Sequence, residues 1–388
     1  MNTFSQIFAV TAMNLRAMKS RAVASGIIVL GVAVLVAIVL SIQSIGTGYL
    51  QSFADYTSSD HVIIYNSQAM SEQQSNISRE AALKIADLPG IKKDLQGKPL
   101  ASMEVSNCMA FTRRADSLDG FTCIRGVSGD LAKLRPKLKL VEGRFFTSGL
   151  REMVIGRQAQ RRFMGMDLGG KVIFPDGPWT IVGIVEGGGF GEGQLFGDSE
   201  TLIAAYRRNT FSSVLAVLGG ANALQTVKAA LAADPTLNVA AEDQLAFLER
   251  TQGQPVMFYK IITAVLGSII GLGVLFAALN MMYAAVNSRT REIATLRAIG
   301  FSPGPVVASV FAEAVLLTLL GAMLGIGAAR FAFHGNVFTV GNAIIRLSVS
   351  PTLMLVGLGI ALFIGLMGAL FPAIRAATLP VTTALQIR

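Results

Sequence analysis

Residues 22–54 read AVASGIIVLGVAVLVAIVLSIQSIGTGYLQSFA, 33 positions without Asp, Glu, Lys or Arg. A helix crosses about 30 Å of hydrocarbon with roughly 20 apolar residues, so this stretch is long enough to span a bilayer and project beyond it. Three further stretches share the property and lie close together near the other end. Residues 261–288 and 347–374 are uncharged over 28 positions each, and residues 298–329 hold one charge, Glu313. Core helices of soluble proteins seldom run uncharged beyond ~14 residues. The expectation is therefore four spanning helices, with a large insertion between the first and second.

The formal net charge of +9 would in a soluble chain suggest nucleic acid, but its placement argues against such a partner. Residues 55–260 carry 23 Lys or Arg against 22 Asp or Glu, so the insertion is nearly neutral. The remaining charge flanks or lies in the spans. Arg16, Lys19 and Arg21 precede the first; Arg289, Arg291 and Arg297, against Glu292, lie between the second and third; Arg375 and Arg388 follow the fourth. The positive-inside rule puts these three clusters and both termini in the cytoplasm, and the insertion outside. Arg330 and Arg346 oppose the rule, one at each end of the outer link, where a long side chain reaches the interface.

The apolar run of the first span exceeds the roughly 7 to 15 residues of a signal peptide and no A-x-A site closes it, so a retained span is expected. Ahead of it, Phe4, Ile7, Phe8, Thr11 and Leu15 fall at helical spacing, as in an amphipathic helix on a membrane surface. The resulting layout is a cytoplasmic amphipathic arm (1–21), first span and stalk (22–54), extracytoplasmic α+β domain (55–255), stalk and second span (256–288), cytoplasmic loop (289–304), third span (305–329), extracytoplasmic link (330–346), fourth span (347–374) and cytoplasmic tail (375–388).

Within the insertion, residues 61–65 (HVIIY), 153–155, 172–174 and 179–185 (WTIVGIV) read as strands. Residues 78–88 (SREAALKIADL) read as a helix with Ser78 as N-cap, stopped by Pro89 and Gly90, and 222–233 as a second helix. The domain reads as two lobes, with a β-rich middle and helices toward its ends. Residues 105–112 and 119–126 flank a polar turn, and folding them as a hairpin sets Cys108 opposite Cys123. An oxidising compartment allows a disulfide there; a hydrogen-bonded register or outward-facing side chains prevent one. The cysteines, His61 and His334 are scattered without metal-ligand spacing.

Two glycine-rich strings resist functional readings. Residues 165–172 (GMDLGGKV) nearly spell a phosphate-binding loop, but Val172 replaces its hydroxyl and a strand, not a helix, follows. Residues 187–193 (GGGFGEG) never satisfy G-x-G-x-x-G and read as a mobile surface loop. No nucleophile or metalloprotease pattern is present, so no covalent chemistry is expected.

The fourth span carries Gly357, Ala361, Gly365, Ala369 and Ala373 at intervals of four, with shorter versions at Gly267 and Gly271 and at Gly321 and Gly325. Such ridges let helices approach closely, within one bundle or between subunits. Glu313 is the acid within the spans and is expected to accept hydrogen bonds from a neighbouring helix. Between the second and third spans, residues 288–300 read SRTREIATLRAIG. Ile293, Leu296 and Ile299 recur every third residue, giving a short amphipathic helix suited to a groove on a cytoplasmic partner.

That string, the following F-x-E-A-V-L-L-x-L-L-G, the basic arm, EGRFF at 142–146, and FPAIRAATLPVTTAL at 371–385 together resemble the FtsX-like permeases, the MacB-type or type VII ABC transporter superfamily. The resemblance spans nearly the whole chain. It implies a bacterial inner-membrane dimer in which a cytoplasmic ATPase drives an extracytoplasmic domain through a stalk, a mechanism termed mechanotransmission. By position, Arg291, Glu292, Ile293, Leu296, Arg297 and Gly300 would form the ATPase-coupling element and Glu313 the acid of the third span. ATP and Mg would bind a separate ATPase subunit, leaving this chain non-catalytic and without a cofactor. A second copy of the permease and a periplasmic adaptor are the further partners implied, with export or efflux as the task. Lipoprotein release and control of a cell-wall hydrolase are the alternatives.

Overall fold

The computed structural model describes residues 22–187, 189–288, 290, 295, 303–333, 337–340, 343–347 and 349–378. The N-terminal arm, the tail beyond residue 378 and the coupling residues Arg291, Glu292, Ile293, Leu296, Arg297 and Gly300 lie outside them. The chain forms two compact units. One comprises Thr47–Val256 and Val337–Arg346, the other the remaining described residues.

Helix α1 (Ala22–Tyr56) begins in the bundle unit and ends in the domain unit. The domain continues with β1 (His61–Asn66), β2 (Ile77–Ser78), α2 (Arg79–Ala86), β3 (Ala101–Thr112), β4 (Asp119–Val127), α3 (Leu131–Leu134), β5 (Lys139–Gly143) and β6 (Glu152–Gly156). After these come α4 (Arg157–Arg162), β7 (Lys171–Phe174), β8 (Gly177–Glu186), β9 (Leu195–Asp198), α5 (Ser199–Ala205), β10 (Thr210–Phe211), β11 (Ser213–Val217), α6 (Ala223–Ala232), β12 (Val239–Asp243) and α7 (Gln244–Gln252). Ten strands form one mixed sheet in the order β12-β1-β11-β3-β4-β9-β6-β8-β5, with β7 also on β8. The β4/β9 and β6/β8 pairs are parallel. One hydrogen-bonded path thus runs through the insertion from β12 to β5.

Local sequence accounts for much of this. Ser78 caps α2 by accepting from the Ala81 amide, and Asp198 caps α5 by accepting from the Thr201 amide, each satisfying an end donor that the helix itself cannot. The β3–β4 hairpin pairs Thr112 with Asp119 and Cys108 with Cys123, and the two cysteines form a disulfide. Apolar residues on the sheet and its helices, among them Ile64, Phe163, Trp179, Leu195 and Phe211, bury to form one core.

The bundle unit contains α8 (Gln254–Ser288), α9 (Pro303–Phe333) and α10 (Pro351–Thr378), with the first part of α1. Among the described residues, four helices are long and apolar enough to cross a membrane: Ser25–Tyr56, Val256–Ala284, Gly304–Phe333 and Pro351–Arg375. The third span therefore outruns the expected 305–329. Much of the outer link is ordered as strands β13 (Val337–Val340) and β14 (Ala343–Arg346), an antiparallel pair grouped with the domain.

Lipid tails give helices no hydrophobic reason to associate, so close contact depends on small residues. A Cβ on Gly325 of α9 would stand 2.5 Å from the Ala33 carbonyl oxygen of α1, and one on Gly321 2.8 Å from that of Val29. On α10, a Cβ on Gly357 would meet Val36 and Leu40 at 3.1 and 3.3 Å, and one on Gly365 would meet the Thr318 hydroxyl at 2.5 Å. Ala361, Ala369 and Ala373 have no exposed surface. Glu313 is buried on α9 and has a polar or electrostatic partner. Helix α8 differs: Ile261, Val265, Ile269, Leu272 and Phe276 are all exposed, leaving it an apolar outer face.

Gly325→Ala is expected to lower the melting temperature of the detergent-solubilised chain by an amount equivalent to about 1–3 kcal/mol, because the α1 backbone must move. Gly359 has nothing within 4 Å of a built Cβ, so Gly359→Ala is expected to be neutral or to stabilise by up to about 1 kcal/mol.

Candidate functional site

The last turns of α1 are built into the domain by three kinds of contact. First, aromatic rings meet edge to face: Tyr49 and Phe53 have centroids 4.9 Å apart, and Phe53 and Tyr56 both meet Phe190, at 5.1 and 5.9 Å. Phe190 sits in a 3-10 turn, Gly189–Gly193, whose Phe190, Gly191, Glu192 and Gly193 are buried. The string read as a mobile surface loop is therefore a packed floor from Gly189 to Gly193, while Gly187 is exposed and Gly188 is not described. Its glycines serve close approach: Gly189 has φ +48°, a Cβ there would lie 2.5 Å from the Ser52 carbonyl oxygen, and one on Gly191 would lie 2.6 Å from the Tyr56 ring. The Glu192 carboxylate closes the turn by accepting from the Gly187 amide at 2.9 Å.

Second, Lys137 donates from Nζ to the carbonyls of Ala54 and Thr57 at 2.8 and 2.5 Å. These lie at the C-terminal end of α1, where carbonyls lack helical partners and the helix dipole favours a cation.

Third, and deepest, lies a network of four buried charges. Arg125 on β4 grips Glu72 with both guanidinium nitrogens, at 2.6 and 2.7 Å, and places Nη1 2.6 Å from Glu104 on β3. Arg135, just after α3, sets Nη2 2.8 Å from both Glu104 oxygens and donates from Nε to the Tyr56 hydroxyl at 2.8 Å. The Ser213 hydroxyl on β11 donates to Glu72 at 2.7 Å. Gln194 Oε1 lies 3.5 Å from both Tyr56 Oη and Arg125 Nε. All four charged side chains are at most 6% exposed, and two carboxylates against two guanidiniums leave no net charge.

Burial alone would raise the Glu72 carboxyl, but the charge and hydrogen bonds of Arg125 outweigh it and hold it below the ordinary carboxylate range. Burial disfavours charged Arg125, but Glu72, Tyr56 and Glu104 raise its pKa well above the usual value. His61, at the start of β1, donates from Nδ1 to Gln244 Oε1 at 3.2 Å. Burial and the nearby Arg135 lower its pKa, so the folded domain favours neutral imidazole.

Sequence reading did not single out these residues. A signal was present, since a Cys108–Cys123 pairing sets Glu104 and Arg125 on one face as diagonal neighbours, within reach of long side chains. Glu72 and Arg135 come from loops with no such register. Among the described residues, no group of three or more His, Cys, Asp or Glu is placed to hold a metal.

Arg125→Ala leaves Glu72 and Glu104 buried without their shared counter-charge, and is expected to cost about 3–5 kcal/mol in thermal unfolding of the full chain. His61 contributes a pH dependence of definite sign. Its folded pKa is below the unfolded value of 6.5, so the unfolded state binds the extra proton and stability falls as pH drops below 6.5 toward the folded pKa. The melting temperature is expected to fall between pH 7 and 5, and His61→Gln to flatten part of that slope.

Two family models match the chain in succession. The MacB-like periplasmic core domain covers residues 25–236 and the FtsX-like permease C-terminal covers residues 263–381. The chain is 24% identical to the uncharacterized ABC transporter permease YknZ of Bacillus subtilis, over 80% of this chain and 81% of that one. It is 25% identical to the macrolide export ATP-binding/permease protein MacB of Campylobacter fetus, over 96% of this chain but 60% of that one. The crystal structure of the periplasmic region of MacB from Actinobacillus actinomycetemcomitans aligns with 54% of this chain and 95% of its own, at 15% identity and a TM-score of 0.38. With an extracytoplasmic core domain carried between its first two spanning helices and an FtsX-like segment after it, the chain belongs to the MacB/FtsX-type family of ABC transporter permeases.

Proposed function

We propose that this permease couples ATP hydrolysis on a cytoplasmic ATPase to movement of its extracytoplasmic domain, in an export complex of the bacterial inner membrane. The observation that carries the reading is the end of α1. A helix that begins among the membrane spans runs unbroken to Tyr56, and its last turn is held by Arg135, Lys137 and Phe190. Packed helices move as rigid elements, so displacement of α1 along or about its axis is carried to the sheet rather than absorbed in a loop.

On this reading the cytoplasmic loop receives the force. Arg291, Glu292, Ile293, Leu296, Arg297 and Gly300 together serve as its ATPase-coupling element. Both chain termini lie on the cytoplasmic side, as the placement of Arg16, Lys19, Arg21, Arg375 and Arg388 favours. A second permease copy faces the side of α8 that carries Ile261, Val265, Ile269 and Phe276, and a periplasmic adaptor receives the domain's movement. The chain itself does no covalent chemistry.

Glu292→Ala with Arg297→Ala is expected to reduce permease-dependent stimulation of the copurified ATPase to the rate of the ATPase alone, while membrane insertion and the domain's melting temperature stay unchanged. Stimulation equal to wild type would sink the coupling assignment.

A further inference from the structure

The bundle contains a groove for which force transmission has no use. It is an open groove of about 580 Å³ between α1, α8 and α10, within the size range of small-molecule sites. On α8 its lining runs from Lys260 to Leu275. At 1.5 Å per residue that is about 22 Å of helix, somewhat more than the hydrocarbon depth of one leaflet, about 15 Å.

The lining is graded. Gln43, Lys260 and Thr263 gather at the end nearest the extracytoplasmic domain in the chain, while Leu35, Leu272 and Leu275 line the deeper part. The Thr263 hydroxyl is already engaged, donating to the Tyr259 carbonyl at 2.8 Å. Lys260 is exposed, and no acidic residue lines the groove. Gly267 and Gly271 give the groove its width. A Cβ there would come no closer than 3.4 Å to Val39 and 3.9 Å to Leu35, respectively, so larger side chains would fill the space without displacing backbone.

A cation at the membrane boundary, followed by one leaflet's depth of apolar channel, has the amphiphilic pattern of a lipid molecule. We propose that the groove holds one anionic phospholipid from the outer leaflet, its phosphate at Lys260 and an acyl chain along Gly267 and Gly271. The ammonium supplies the preference for anionic lipid, since a zwitterionic headgroup offers it no net counter-charge. The glycines supply the space for the chain. This occupancy does not depend on ATPase coupling.

The test is native mass spectrometry of the full chain released from detergent, with equal amounts of phosphatidylglycerol and phosphatidylethanolamine of matched acyl chains. One phosphatidylglycerol per chain is expected, retained about fivefold over phosphatidylethanolamine, the preference one lysine gives for anionic lipid. Lys260→Gln should equalise the two and Lys260→Arg should keep the preference. The Gly267→Leu, Gly271→Leu double variant should lose both adducts. Equal retention by wild type, or a preference surviving Lys260→Gln, overturns the charge assignment. A filled groove that still retains lipid overturns the site, and one that also abolishes self-association gives the groove to a second copy of the chain.

Discussion

Two carboxylates and two guanidiniums, buried together without net charge, set the geometry of the domain. Removing an ion from water costs several kcal/mol, and its partner offsets that only when distance and direction are right. Arg125 must therefore sit between Glu72 and Glu104, and Arg135 between Glu104 and Tyr56. That single condition fixes β3 against β4, draws in the 3-10 turn Glu72–Gln74, and locks the segment after α3 onto the end of α1. Apolar side chains of the same volume would fill the space but would tolerate rotation of the helix. A guanidinium fork on a carboxylate does not.

The two units solve their packing problems with different residues. The domain, made of strands and short helices, buries large apolar side chains around Trp179 and Phe211. The bundle meets its neighbours through Gly321, Gly325, Gly357 and Gly365, because close backbone approach replaces the hydrophobic effect where the solvent is itself apolar. The exception is α8, whose buried positions include Val274, Ala278, Met282 and Val286 while much of the helix stays exposed. Thin packing on one side and a wide groove on another make α8 the helix with most surface left for other molecules.

Much of this architecture was legible in the sequence, and the exceptions have physical causes. Spans are announced by uncharged length, which no buried polar group disguises. The strands around Ile63, Ile155, Val172 and Ile181 and the caps of α2 are local signals, and the hairpin register followed from symmetry about its polar turn. The packed turn around Phe190 was misread because glycine density is the same in a mobile loop and in a turn pressed against a helix; only the partner, Tyr56, distinguishes them. The ionic network escaped because its members lie up to 141 residues apart, and a charged residue in a strand gives no local sign of whether its partner is water or another side chain.

Strand β1 pairs on one side with β11 and on the other with β12, so residues 61–66 find their first neighbour only after residue 217 has been made and their second only after residue 243. At roughly 5 to 20 residues per second, this separation amounts to something on the order of ten to thirty seconds of synthesis. During that interval an apolar strand, HVIIYN, stands beyond the membrane, with both edges unpaired until β11 is made and one edge open until β12 follows. Assembly is thereby tied to the clock of translation and export: the sheet closes last at the place where the chain first left the bilayer, and whatever shields β1 in the meantime decides between folding and aggregation.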